Sequence, residues 1–145
     1  MKKKYLNYFK NITKETSKLS TCISKQVGAI LVKDYRIIAI GYNGVPSGEK
    51  HCNDIFNKKN FDRQKHHEWS KLNEYHAEQN VLLFCLRNGI NISGSIMIAS
   101  LSPCINCAKL IANSGIKEVY FLETYDLDSS GIDFLKKSKI KLQRI

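Results

Sequence analysis

Hydrophobic and polar positions along this chain switch between a helical period and a strand period. Within residues 5–19 the apolar residues Tyr5, Tyr8, Phe9, Ile12 and Leu19 recur at helical spacing, which predicts an amphipathic helix. Residues 27–32 and 37–42 are short β-branched runs on either side of Asp34-Tyr35, and they predict an antiparallel hairpin. Residues 41–73 are polar and contain Gly44, Pro46 and Gly48, so they read as loop; a loop this long is usually functional or held by something. Residues 76–87 carry Ala77, Val81, Leu82, Phe84 and Cys85, a buried helix ended by Asn88-Gly89. Downstream follow a strand at 96–100, a helix at 103–114 ended by Gly115, a strand at 119–122, a helix at 128–138 and a strand at 140–145. Alternating strands and helices after an opening hairpin predict an α/β fold with a mixed sheet covered by helices.

Length and composition narrow the class. The 145 residues are enough for one domain, expected to span 1–145. No apolar run approaches the ~20 residues of a membrane span. The positive start Met1-Lys2-Lys3-Lys4 is followed by no apolar stretch, so no secretory signal is expected. Five cysteines are then thiols or metal ligands in a reducing compartment, the cytoplasm, or the host cytoplasm for a viral source.

The formal charge of +10 is unevenly placed. Residues 1–33 hold eight lysines against Glu15, residues 136–145 hold five basic residues and no acid, and residues 75–135 are slightly acidic. A nucleic-acid surface calls for Lys and Arg on one face interleaved with aromatics. The charge is read instead as surface composition, with neither nucleic acid nor membrane expected as partner.

Two short stretches carry candidate chemistry: His76-Ala77-Glu78 and Pro103-Cys104-Ile105-Asn106-Cys107. His76, Cys104 and Cys107 are three ligands of types that suit Zn²⁺, leaving a fourth tetrahedral position for water. Cys104 and Cys107, three apart at a helix start, direct both sulfurs to one face, where the helix N-terminus favours thiolate. Glu78, two residues from His76, is placed to take a proton from water and return it to a leaving nitrogen. The spacing matches the H-x-E…P-C-x-x-C pattern of zinc deaminases. A zinc-ribbon site using the same ligands would show a second CxxC or HxxxH pair and would not need the glutamate.

The chain resembles the deoxycytidylate (dCMP) deaminases, and among them the T-even bacteriophage branch. The resemblance runs from about Ser20 to Leu142. It is carried by Ser20-Thr21-Cys22, Val27-Gly28-Ala29-Ile30, Gly41-Tyr42-Asn43-Gly44-Val45-Pro46-Ser47-Gly48, residues 66–80, Leu101-Ser102-Pro103-Cys104 and Ser114-Gly115-Ile116-Lys117. It implies a three-layer α-β-α, cytidine-deaminase-like fold with a five-stranded mixed sheet. It also implies hydrolytic conversion of dCMP to dUMP and ammonia, feeding thymidylate synthesis. Asn43 would contact the deoxyribose and base, with Ala77 and the Leu101-Ser102-Pro103 turn lining the base pocket. Tyr125 and a basic residue between Cys22 and Val27 would hold the phosphate; the family's arginine position reads Ser24 here, which leaves Lys25 as candidate.

The resemblance further implies activation by dCTP and inhibition by dTTP at the interfaces of a hexamer. The loop holding Gly44 and Gly48 would cradle effector phosphates with Mg²⁺, Tyr42 would neighbour the effector base, and Phe84 and Arg87 would influence the response. Cys22, Cys52, His66 and Glu74 match positions of a second, structural zinc, with adjacent His67 an alternative to His66; a closed site there would pin the long loop. Cys85, on the apolar helix face, is expected in the core. Two other classes remain in view: a deaminase of tRNA or single-stranded DNA, and a non-catalytic, zinc-stabilised nucleotide-binding subunit.

Overall fold

The apolar strand runs meet in one mixed sheet. The structure, a computed structural model, describes residues 1–125 and 127–145. Its elements are α1 (Lys3–Ser17), β1 (Gly28–Lys33), β2 (Arg36–Tyr42), α2 (Cys52–Ile55), α3 (Arg63–Asn73), α4 (Ala77–Arg87), β3 (Ile96–Leu101), α5 (Ile105–Ala112), β4 (Glu118–Glu123), α6 (Ser130–Lys137) and β5 (Lys141–Arg144). The strand order is β2-β1-β3-β4-β5. β1 runs antiparallel to β2 and to β3, whereas β3, β4 and β5 are parallel. Asp34 and Tyr35 turn the hairpin with φ of 49° and 61°, the left-handed pair that matches strand twist in a two-residue turn.

The expected three layers are present. α1 covers one face, where Phe9 packs with Ile30, Val32, Ile98, Tyr120 and Leu122. α4, α5 and α6 cover the other, where Val81, Cys85, Ile111 and Leu135 pack with Leu31, Met97 and Val119. Strands covered on both faces read as continuous apolar runs, which is why β1 is buried from Gly28 to Val32. Cys85 lies in this core, 1% exposed.

The long polar stretch departs from the expectation of a loop. It contains α2 and, over eleven residues, α3. Asp62 caps α3 by accepting the Lys65 N–H at Oδ1, 3.0 Å away. No apolar stripe announces this helix, because His66, Ser70 and Glu74, four residues apart, occupy the row turned towards the protein. Nor does the segment lack apolar anchoring. The rings of Phe56, Phe61 and Trp69 surround His66 at centroid distances of 5.2, 5.2 and 6.1 Å.

Candidate active site and metal centres

Two helix starts supply the first cluster. His76 is the residue before α4, extended at φ −74° and ψ 158°, and its N–H donates to Gln79 Oε1 at 2.8 Å. Cys104 stands in the same place before α5, and Cys107 lies in that helix's first turn. His76 Nδ1 is 3.4 Å from Cys104 Sγ and 3.5 Å from Cys107 Sγ. Zinc bonds of about 2.3 Å to sulfur and 2.0–2.1 Å to nitrogen, at the tetrahedral angle, separate N from S by about 3.5 Å. The three atoms therefore fit one zinc ion.

Close backbone approaches place both helix starts. A Cβ on Gly41 would lie 2.8 Å from the Ala77 carbonyl oxygen and 2.9 Å from the Val81 nitrogen, so β2 lies directly against the start of α4. A Cβ on Gly131 would overlap the Pro103 carbonyl oxygen, so α6 presses on the Pro103-Cys104 turn in the same way.

The electrostatics suit a metal and a proton carrier. The hydrogen bond with Cys107 holds the Cys104 thiol down to about 4 against the opposing effect of burial, with help from His76. The same bond and burial push Cys107 up. Hydrogen bonding to Cys104 raises His76 against an opposing loss of hydration, although the residue is surface-exposed. Glu78 is 4% exposed, and burial lifts its carboxyl above the usual range.

Beside the cluster opens a cavity of about 580 Å³. Lys25, Asn43, Ala77, Glu78, Ser102 and Tyr125 line it, together with His76 and Cys104. Asn43 also clamps the preceding loop, accepting the Val27 N–H at Oδ1 (2.8 Å) and donating from Nδ2 to the Lys25 carbonyl (3.0 Å). Ser102 Oγ accepts the Tyr125 N–H at 2.8 Å and fixes that residue at the rim. Pro103, expected to line the base pocket, does not line the cavity; it is buried, its carbonyl turned to Gly131.

The residues expected at the regulatory site stand apart from the cavity. Gly44 is bridged to Tyr75, exchanging N–H···O bonds of 3.1 and 2.8 Å, and this ties the loop to the approach to His76. Gly48 adopts φ 91° with open space around it. Tyr42, Phe84 and Arg87 are exposed, and none of them lines the cavity.

A second cluster joins Cys22, Cys52 and His66, all buried. Cys22 Sγ lies 3.6 Å from His66 Nε2. Burial pushes the Cys52 thiol up to about 12, against the Ile23 N–H and with the charges of Cys22 and Glu74 adding to it. Glu74 accepts from Ser70 Oγ at Oε2 (2.6 Å), while its Oε1 is buried without a hydrogen-bond partner among the described residues. Such an oxygen is costly unless a hydrogen-bond donor, a water or a cation completes it. His67 is exposed and is not part of this cluster; it lines the same cavity as Cys22, His66 and Glu74.

The family model "Cytidine and deoxycytidylate deaminase zinc-binding region" matches residues 2–123. The chain belongs to this deaminase family. The deoxycytidylate deaminase of Enterobacteria phage T4 is 40% identical over 148 residues, covering 81% of this chain and 77% of the relative. The structure of the dCMP deaminase from cyanophage S-TIM5, in complex with dCMP and dUMP, superposes with a TM-score of 0.84 at 31% identity, over 100% of this chain and 99% of that one.

Three structural features in and around the cavity escaped the sequence reading. α3 contributes His67 and Lys71 to the cavity wall, and the capping residue Asp62 was the one local signal for it. Gly131, far along the chain, touches the Pro103-Cys104 turn. Glu123, at the end of β4, pairs with Lys25 at 2.8 Å. No local pattern marks the last two.

Proposed function

We propose that this chain, as one catalytic domain over residues 1–145, hydrolyses dCMP to dUMP and ammonia and so supplies dUMP for thymidylate synthesis. The observation that carries the reading is buried Glu78 beside the His76–Cys104–Cys107 triangle on the wall of a 580 Å³ cavity. Likeness to a protein solved with dCMP and dUMP supports the substrate. Zinc held by His76 Nδ1, Cys104 Sγ and Cys107 Sγ supplies, when bound, a Lewis acid that makes water a nucleophile near neutral pH. The Glu78 carboxylate takes the proton that the attacking water loses and passes it to the ring nitrogen N3; it then carries the second proton, from the new C4 hydroxyl, to the exocyclic amine, so the exocyclic C4–N bond breaks, ammonia leaves and the C4 carbonyl forms. Ala77, Ser102 and Asn43 hold the base and sugar, and Lys25 and Tyr125 hold the phosphate.

A second zinc on Cys22, Cys52, His66 and Glu74 pins α3; the unpartnered Glu74 Oε1 supports a fourth ligand there. Regulation by dCTP and dTTP, with Mg²⁺, belongs to the loop of Tyr42, Gly44 and Gly48. Phe84 and Arg87 lie at a subunit interface of a hexamer, working in the cytoplasm or in a host's. Their exposure and separation from the cavity support that division of labour.

Ammonia release and the ultraviolet change on deamination test the reading with dCMP, deoxycytidine and a single-stranded oligonucleotide, each with and without dCTP. Turnover of dCMP is expected. Turnover of the oligonucleotide alone would replace this reading with a polynucleotide deaminase.

A further inference from the structure

Lys25 stands between two cavities. The catalytic cavity and a neighbouring one of about 660 Å³ share Cys22, Ser24 and Lys25 as wall. The neighbour is lined by Lys14, Lys18 and Lys58 as well, and, among the described residues, by a single carboxylate, Glu123, which does not line the catalytic cavity. The Lys25 backbone is held by Asn43, and its ammonium donates to Glu123 Oε2 at 2.8 Å. Hydrogen bonding and charge from Lys25 hold the Glu123 carboxyl below its usual range. Glu123 closes β4 opposite Leu101, its carbonyl accepts the Ser102 N–H at 2.8 Å, and Tyr125 follows two residues later. The pair therefore sits at the carboxyl ends of parallel strands, where open α/β sheets place their ligands.

We propose that Glu123 is a specificity-determining residue: it holds the Lys25 ammonium towards the neighbouring cavity, and the substrate phosphate takes Lys25 over from it. The proposal rests on the reading of the chain as a deaminase of a phosphorylated nucleoside. A dianionic phosphate in the catalytic cavity offers Lys25 a stronger charge-assisted bond than one carboxylate. A neutral nucleoside offers none and leaves Lys25 with Glu123. The exchange is cheap because the pair is exposed, with side-chain accessibilities of 55% and 63%, so solvent screens it. Glu123 thus tunes affinity for the phosphate by a modest factor, whereas Lys25 provides the affinity itself.

The test compares kcat/KM for dCMP with kcat/KM for deoxycytidine in the full chain. Glu123→Gln is expected to raise the dCMP/deoxycytidine ratio by about two- to fivefold, through a lower KM for dCMP, the range of an exposed ion pair. Lys25→Met is expected to lower the ratio by about tenfold or more, as for a hydrogen bond to a charged group. In the Lys25→Met background Glu123→Gln should lose most of its effect. Inorganic phosphate as a competitive inhibitor of dCMP turnover gives a second readout, its inhibition constant falling in Glu123→Gln by the same factor. An unmoved ratio and inhibition constant in Glu123→Gln would overturn the proposal, as would an equal effect with and without Lys25. If wild type turns over dCMP while these parameters stay still, only the role of Glu123 fails. If wild type does not turn over dCMP, the underlying reading fails with it.

Discussion

Gly131 touches the Pro103-Cys104 turn so closely that a Cβ in its place would lie 2.8 Å from the Cys104 carbonyl carbon and 2.9 Å from its carbonyl oxygen. The first turn of α6 thereby presses on the turn that carries the candidate ligand Cys104, just as Gly41 lies against the start of α4 beside His76. Gly131→Ala must push α6 and the turn apart, at a cost of about 1–3 kcal/mol, typical of overpacking. A lower melting temperature is expected, together with a changed visible spectrum of the Co²⁺-substituted protein. A variant that melts lower but keeps the Co²⁺ spectrum would make Gly131 a purely structural contact.

Glu78 is buried beside the three ligands, and its assigned work is moving a proton. Glu78→Gln keeps the shape and removes the titrating oxygen. Zinc content should stay at the wild-type level while kcat falls by about 10²–10⁴-fold, the range of general acid–base catalysis. Turnover retained near wild type would remove the proton-carrier role.

The second cluster predicts a stoichiometry. Metal analysis of the wild type should find two zinc ions per chain, and Cys22→Ser or Glu74→Gln should reduce this towards one. The melting temperature should fall with it, since a structural metal contributes folding free energy directly. His67→Ala should leave both numbers in place. One zinc per chain in wild type, with Cys22→Ser equally stable, would leave Cys22 and Cys52 as buried thiols.

Glu118 gives a pH dependence far from the metal ligands. Burial opposes its ionisation, but the Tyr120 hydroxyl (2.6 Å) and the Lys141 ammonium (2.9 Å) outweigh that and hold its carboxyl below the usual carboxylate value of 4.5. A carboxyl depressed in the folded state binds fewer protons folded than unfolded. Its stabilisation is present above the unfolded value and is lost as pH falls through the folded one. Glu118→Gln should therefore melt below wild type near neutral pH, and the gap should close as pH drops below 4.5. A gap independent of pH would assign the loss to packing.

Much of the fold was legible because its signals are local. The hairpin at Asp34-Tyr35, the apolar strands and the Gly89 and Gly115 helix ends each depend on a few neighbouring residues. α3 was not legible for a specific reason. A helix is found by an apolar stripe, and this one turns His66, Ser70 and Glu74 inward, so a polar row replaces the hydrophobic period. Its apolar support comes from outside the helix as well, from Phe56 and Phe61.

By itself the sequence named the candidate donor set that the structure brings together. His76, Glu78, Cys104 and Cys107 are spaced within two short motifs, and helix geometry alone places Cys104 and Cys107 on one face. The family motifs likewise marked out the cavity residues Asn43, Ala77, Ser102 and Tyr125. Only the tertiary structure decided which distant groups meet around the site: Gly131 against Pro103 and Glu123 on Lys25, with Pro103 left out of the cavity wall. The reason is physical. Motif chemistry depends on residues within a turn or two of each other, whereas these contacts exist only once β4 and α6 have packed against the sheet.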